Sequence, residues 1–281
     1  ALNVAEFYRD ATVLVTGGTG FIGKVLVEKL LRCFEVKKIF LLIRRKANVS
    51  ATDRLQQMLE GPVSTMWYYG KPEVKPFMSP VDHTVSGMLA AACDIYRRQC
   101  TILPIVFHVM ATVRFDMSFQ TVLDTNVTSP ERLYTFLRQA RHLKAIVHVS
   151  TFYSNCDRAH IEECVYDDIR YGGWDHIRRI LEPLTEAEKA KLMPSIIAPL
   201  PNNYTFSKKC AEVMIQKRFS DLPIGIFRPP IVTPGYREPV PGWVDSLQGV
   251  TALCIPILKQ RLLWYYGDPA ACPALVPVDY C

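Results

Sequence analysis

The sequence has no cysteine pair at C-x-x-C spacing, and no histidines stand at metal-ligand spacing from its nine cysteines. That excludes a zinc ribbon and points to a reducing, intracellular compartment with no metal site. It has no apolar run near the roughly 18 residues a membrane helix needs; the best, around Val250 to Leu258, is broken by Pro256. It has no internal repeat, no low-complexity tract and no recognisable nucleic-acid-binding module, so the net charge of +6 suits phosphate-bearing small ligands or an anionic membrane surface better than a nucleic acid. There is no initiator Met and no signal peptide. The chain starts just before its first strand and stops inside the apolar stretch Ala274-Leu275-Val276-Pro277-Val278, so it reads as a fragment.

What is present is a core. Of 281 residues, 49% are hydrophobic, enough for one large or two small domains. The run Val13-Leu14-Val15-Thr16-Gly17-Gly18-Thr19-Gly20-Phe21-Ile22-Gly23-Lys24 is a short apolar strand that breaks into a glycine turn and opens an amphipathic helix. Glycines let the backbone approach a pyrophosphate, and the helix N-terminus offers it free N–H groups. Thr16 to Gly23 are therefore candidate dinucleotide-binding residues. The second strand, 38–43, ends in Arg44-Arg45-Lys46, where an NAD site carries an acid for the ribose hydroxyl. Guanidinium groups favour a 2′-phosphate, so Arg44 and Arg45 point to NADP(H).

Strand and helix alternate over the first 230 residues, which predicts an α/β fold with a doubly wound parallel sheet. Strands are expected at 12–16, 38–43, 104–108 and 145–149. Helices are expected at 21–33, 52–60 and 84–98, with another capped by Thr128 or Ser129 and carrying Pro130 in its first turn. The polar, proline-interrupted stretch of about 155–201 reads as an insertion on the substrate side. The whole chain reads as one Rossmann-type domain: a core of about 11–232, that insertion, and a small substrate-side region of about 233–281.

Tyr204-Thr205-Phe206-Ser207-Lys208 is a Y-x-x-x-K on a predicted helix, and no other of the thirteen tyrosines has a lysine four residues on. The spacing puts phenol and ammonium on one helix face. A free phenol is a weak acid near neutrality, and an adjacent cation is expected to lower its pKa. Ser150 and Thr151 follow a predicted strand at the edge where open parallel sheets bind ligands, so either could hold a substrate carbonyl.

These blocks resemble an extended short-chain dehydrogenase/reductase. More specifically, Ala111-Thr112-Val113-Arg114-Phe115-Asp116, His148 to Cys156, Asn203 to Lys208 and Pro241-Gly242-Trp243-Val244-Asp245 resemble the alcohol-forming fatty acyl-CoA reductases, insect members in particular. The resemblance implies reduction of long-chain acyl-CoA to a primary alcohol with two NADPH, through an aldehyde and with release of CoA. It makes Tyr204 the proton donor, Lys208 its ribose-binding partner, and Thr151, with Ser150 beside it, the carbonyl-orienting hydroxyl. On the cofactor side it adds Ala111, Thr112, Arg228, Pro229 and, by spacing, Asp82. It also implies a further C-terminal domain, absent here, through which the parent protein would associate with the endoplasmic reticulum or peroxisomal membrane. Met110 stands where such reductases carry a small residue and is expected to crowd the adenosine half of the cofactor. Two other readings compete: a sugar-nucleotide epimerase or dehydratase, which the arginines after the second strand disfavour, and a non-catalytic, decayed nucleotide-binding copy.

Overall fold

The computed structural model describes residues 3–43, 49–60, 104–264 and 266–281. Arg44, Arg45, Asp82 and the helix expected at 84–98 lie outside the described residues. Among those described, five strands form one parallel sheet: β1 (Thr12–Thr16), β2 (Lys38–Leu42), β3 (Ile105–His108), β4 (Ala145–Val149) and β5 (Ile224–Phe227). Their order is β2-β1-β3-β4-β5. The winding reverses between β1 and β3, which opens a crevice at the carboxyl ends of those strands. Register brings Thr16 opposite His108, His108 opposite His148 and Val149 opposite Phe227, so the strands end at one edge.

Both faces of the sheet are covered, which is why its strands are apolar runs rather than alternating ones. On one face Val13, Val15, Ile39 and Leu41 pack with α2 (Phe21–Cys33) and α3 (Ala51–Leu59), and the short α1 (Val4–Tyr8) adds Phe7 and Tyr8 at the margin. On the other face Leu14, Phe40, Val106 and Ile146 meet Leu133, Tyr134 and Leu137, and also Met214 and Ile215. Helix α3 starts on a capping box in which Ser50 and Asp53 satisfy each other's backbone N–H groups.

The helix expected to begin at Thr128 or Ser129 starts earlier. Ser118 caps α4 (Phe119–Leu123), a π-helical turn spans Asp124–Thr128, and α5 (Ser129–Leu137) continues without a side-chain cap at Thr128. Pro130 brings no N–H and its ring crowds the carbonyl four residues back, that of Asn126. A widened turn relieves that clash.

Between β4 and α8 (Asn203–Arg218), the stretch read as an insertion holds α6 (Trp174–Leu181) and α7 (Glu186–Ile197). Trp174, Ile177, Leu181, Met193 and Ile196 pack with Phe119, Leu123, Phe206 and Cys210, so the insertion has its own apolar seat against α4 and α8. After β5 come β6 (Ile231–Thr233), α9 (Gly249–Leu258) and β7 (Leu275–Pro277), with β6 and β7 paired in parallel. Pro256 does not end α9, which runs on to Leu258. Among the described residues no helix is long and apolar enough to cross a membrane.

Candidate active site

The turn after β1 is built for close approach. Gly17 has φ +74°, and a Cβ there would stand 2.7 Å from the backbone N of Met110; a Cβ on Gly23 would stand 2.2 Å from Gly17 O. Gly20 N donates to Gly17 O at 2.9 Å and caps α2 with no side-chain hydrogen bond, leaving the first-turn N–H groups directed out of the turn. Such a cradle fits a pyrophosphate. Thr16, named among the cofactor residues, is fully buried instead, its hydroxyl 2.9 Å from His108 Nδ1. Its side chain braces the turn from below. Arg54, which nothing in the sequence singled out, reaches from α3 to place its guanidinium 2.7 Å from Thr19 Oγ1. Phe21 stacks on Trp243 at 5.5 Å and Lys24 pairs with Asp245, so the 243–245 segment walls the mouth of the turn. Ile22 and Ala111 are half-buried at this edge. Met110 is also half-buried, and its N–H donates to Thr16 Oγ1 at 3.4 Å.

Tyr204, Lys208 and Thr151 come together. The Tyr204 phenol stands against the Thr151 side chain. Lys208 is 1% exposed and donates to Val149 O at 2.7 Å. Burial pushes the Tyr204 phenol above its ordinary pKa of 10.0 and its interaction with the Thr151 side chain pulls it back. The sequence-based expectation that Lys208 lowers the phenol is corrected here: the ammonium is turned to the Val149 carbonyl, and the phenol stays an acid. Burial lowers the Lys208 ammonium to about 8, with Glu212 holding it up.

Ser150 is not aimed at this point. Its hydroxyl donates to Glu212, a carboxylate 1% exposed that also accepts from Ser154 Oγ at 3.0 Å and from Arg228 through Nε at 3.0 Å and Nη2 at 2.7 Å. Arg228 also donates to the carbonyls of Glu162 and Cys164 at 3.2 and 2.7 Å. Its donors are taken up by Glu212 and the insertion, which corrects its assignment to the cofactor. Pro229 is buried and accepts the Phe152 N–H at 2.9 Å, fixing the residue after Thr151.

Sequence reasoning missed two buried elements beneath the site. Asn126, on the π-helical turn, accepts from Thr112 N at 2.9 Å and donates to Thr112 O at 3.1 Å and to Ser207 Oγ at 2.9 Å. It fastens the loop after β3 to α8. His108 and His148 stack at 5.4 Å between β3 and β4, and the Tyr134 hydroxyl lies 2.6 Å from His148 Nδ1. Burial, reinforced by the Lys208 charge, drops His108 to about 3 and lowers His148 as well. Both rings stay neutral at physiological pH.

A doubly wound sheet with a glycine cradle at its switch point and a Tyr-Lys-Thr group beside it defines a nicotinamide-dinucleotide-binding domain of the Rossmann type. The chain belongs to the NAD-binding family described as male sterility protein, which matches residues 15–281. It is 36% identical over 277 residues to "Fatty acyl-CoA reductase wat" of Drosophila melanogaster, with 98% of this chain and 53% of that one aligned. It is 33% identical over 281 residues to "Fatty acyl-CoA reductase 2" of Mus musculus, covering 98% of this chain and 54% of the relative. The chain thus spans about half the length of these relatives. Among solved structures, the terminal R domain from the myxalamid PKS-NRPS biosynthetic pathway shares the fold, with a TM-score of 0.62 at 22% identity over 97% of this chain and 60% of that one.

Proposed function

We propose that this domain carries the reductase site of an NADPH-dependent fatty acyl-CoA reductase that converts long-chain acyl-CoA to fatty alcohol by way of the aldehyde. The observation that carries the reading is the Tyr204 phenol set against the Thr151 side chain at the carboxyl edge of the sheet, in a chain akin to named fatty acyl-CoA reductases. NADPH, when bound, would supply the hydride, and two equivalents would be needed to take the thioester to the alcohol. Thr151 and Tyr204 direct two hydroxyls at the oxygen that becomes negative, where preorganised donors act most strongly. Tyr204, kept protonated by burial, hands that oxygen its proton. Lys208, fixed on Val149 O, would hold the cofactor ribose. The reading is tested by following NADPH loss and CoA thiol release together on palmitoyl-CoA. Two NADPH consumed per thiol supports it, and thiol release without NADPH oxidation contradicts it.

NADPH rather than NADH rests on Arg44 and Arg45, and on Arg54 over the glycine turn. Losing a charge-assisted hydrogen bond costs about 1.5–3 kcal/mol. Arg54→Ala, and Arg44 and Arg45 both replaced by Ala, should therefore each raise the Kd for NADPH roughly tenfold or more, and that for NADH far less. Equal weakening of both cofactors in calorimetric titrations would sink the 2′-phosphate assignment.

Met110→Ala tests the crowding expectation. Its backbone lies against Gly17, at the edge of the cradle. If the thioether occupies cofactor volume, the Ala variant binds NADPH more tightly; an unchanged Kd shows that this adaptable side chain has folded away.

A further inference from the structure

We propose that Glu212 is a positioning residue for the reaction, the counter-charge that sets α8 against the exit of β4 and keeps Lys208 charged for the cofactor. The inference rests on the proposed reductase site. Its geometry is a grip of three helix residues on three consecutive residues at the exit of β4, Val149 to Thr151. Lys208 takes Val149 O at 2.7 Å, Glu212 takes the Ser150 hydroxyl, and Tyr204 meets the Thr151 side chain. Tyr204, Lys208 and Glu212 are spaced by four, so they lie along one face of α8. If that face slid or rotated, the Tyr204 and Thr151 hydroxyls would no longer converge on one oxygen.

Glu212 is the best-anchored of the three. Its carboxylate is buried and accepts from Ser150, from Ser154 and twice from Arg228. Arg228 in turn holds the Glu162 and Cys164 carbonyls, so one carboxylate joins the β4 exit, the β5 exit and the insertion. The insertion does not depend on it alone. Lys209, the neighbour of Lys208, pairs with Asp157 and Asp168 at 3.7 and 2.7 Å. Loss of the Glu212 charge should therefore disturb the site before it frees the insertion.

The electrostatic part has a distinct signature. Glu212 faces Lys208 from the same helix, His108 faces it from β3 and His148 from β4, and Tyr204 stands one turn before it. His108 and His148 lose their protons well below neutrality and Tyr204 loses its proton above 10.0. Of Lys208, His108, His148 and Tyr204, only Lys208 titrates between pH about 6 and about 9. Its ammonium has its pKa lowered to about 8 by burial, and Glu212 opposes that shift. Removing the carboxylate charge lets burial win further.

The experiment measures NADPH Kd against pH for the wild type, Glu212→Gln and Arg228→Lys, together with kcat on palmitoyl-CoA. In the wild type, affinity should fall as pH rises through about 8. In Glu212→Gln the fall should come about one unit or more earlier, with affinity restored at the acidic end, and kcat should drop at least about tenfold. Arg228→Lys keeps the Glu212 charge and should leave the pH midpoint in place. A Glu212→Gln midpoint equal to that of the wild type, or a loss of affinity uniform across pH, overturns the proposal. If Glu212→Gln does not fold, Ser150→Ala and Ser154→Ala together remove two of its anchors, and an unchanged kcat in that variant overturns the positioning role. A wild type that binds NADPH but does not reduce palmitoyl-CoA defeats the reductase reading, and the Kd profile still decides the role of Glu212.

Discussion

Tyr204→Phe should cut kcat at least about a hundredfold, because a positioned general acid contributes about a hundred- to ten-thousand-fold. The same variant should leave the NADPH Kd close to that of the wild type. In the proposed mechanism the phenol and Thr151 serve the developing oxyanion, whereas the glycine cradle serves the pyrophosphate. The ring is kept, so packing against Phe115 at 6.1 Å is preserved and a lowered kcat cannot be ascribed to a collapsed site. Steady-state kinetics with calorimetric titration checks both halves. Retention of more than about a tenth of the wild-type kcat would remove Tyr204 from the proton-donor role.

Gly23→Ala should abolish measurable NADPH binding and lower the melting temperature. An alanine Cβ would stand 2.2 Å from Gly17 O and 2.8 Å from Gly18 Cα, contacts with backbone that cannot rotate away. Relief requires α2 to move off the turn, at the cost of about 1–3 kcal/mol typical of overpacking. The first-turn N–H groups move with it. Gly225→Ala is the matched control, since a Cβ there meets nothing within 4 Å. A Gly23→Ala variant that binds NADPH like the Gly225→Ala variant would show that the turn is not the cofactor cradle.

The sequence exposed what local pattern can carry. The apolar runs around Val13, Ile39, Val106 and Ile146 became parallel strands, because strands buried on both faces need no alternation. The Tyr204/Lys208 spacing placed both groups on one helix face, and Thr151 arrived beside Tyr204. Partners set by tertiary contact were not legible. Ser150 and Thr151 are neighbours with equivalent hydroxyls, yet successive residues leave a strand in opposite directions, and the buried Glu212 claims the first. Arg228 looked like a cofactor cation until the same carboxylate and two insertion carbonyls took up its donors. Asn126 sits in a π-helical turn that no periodicity signals. The one available clue was Pro130, four residues on, which cannot donate to its carbonyl.

The direct measurement for the central claim is gas chromatography of the products formed from palmitoyl-CoA and NADPH by this domain within its full-length protein. The account predicts hexadecanol, its formation dependent on NADPH and lost in Tyr204→Phe. Binding of NADPH with no hexadecanol or hexadecanal, or an undiminished yield from Tyr204→Phe, would contradict it.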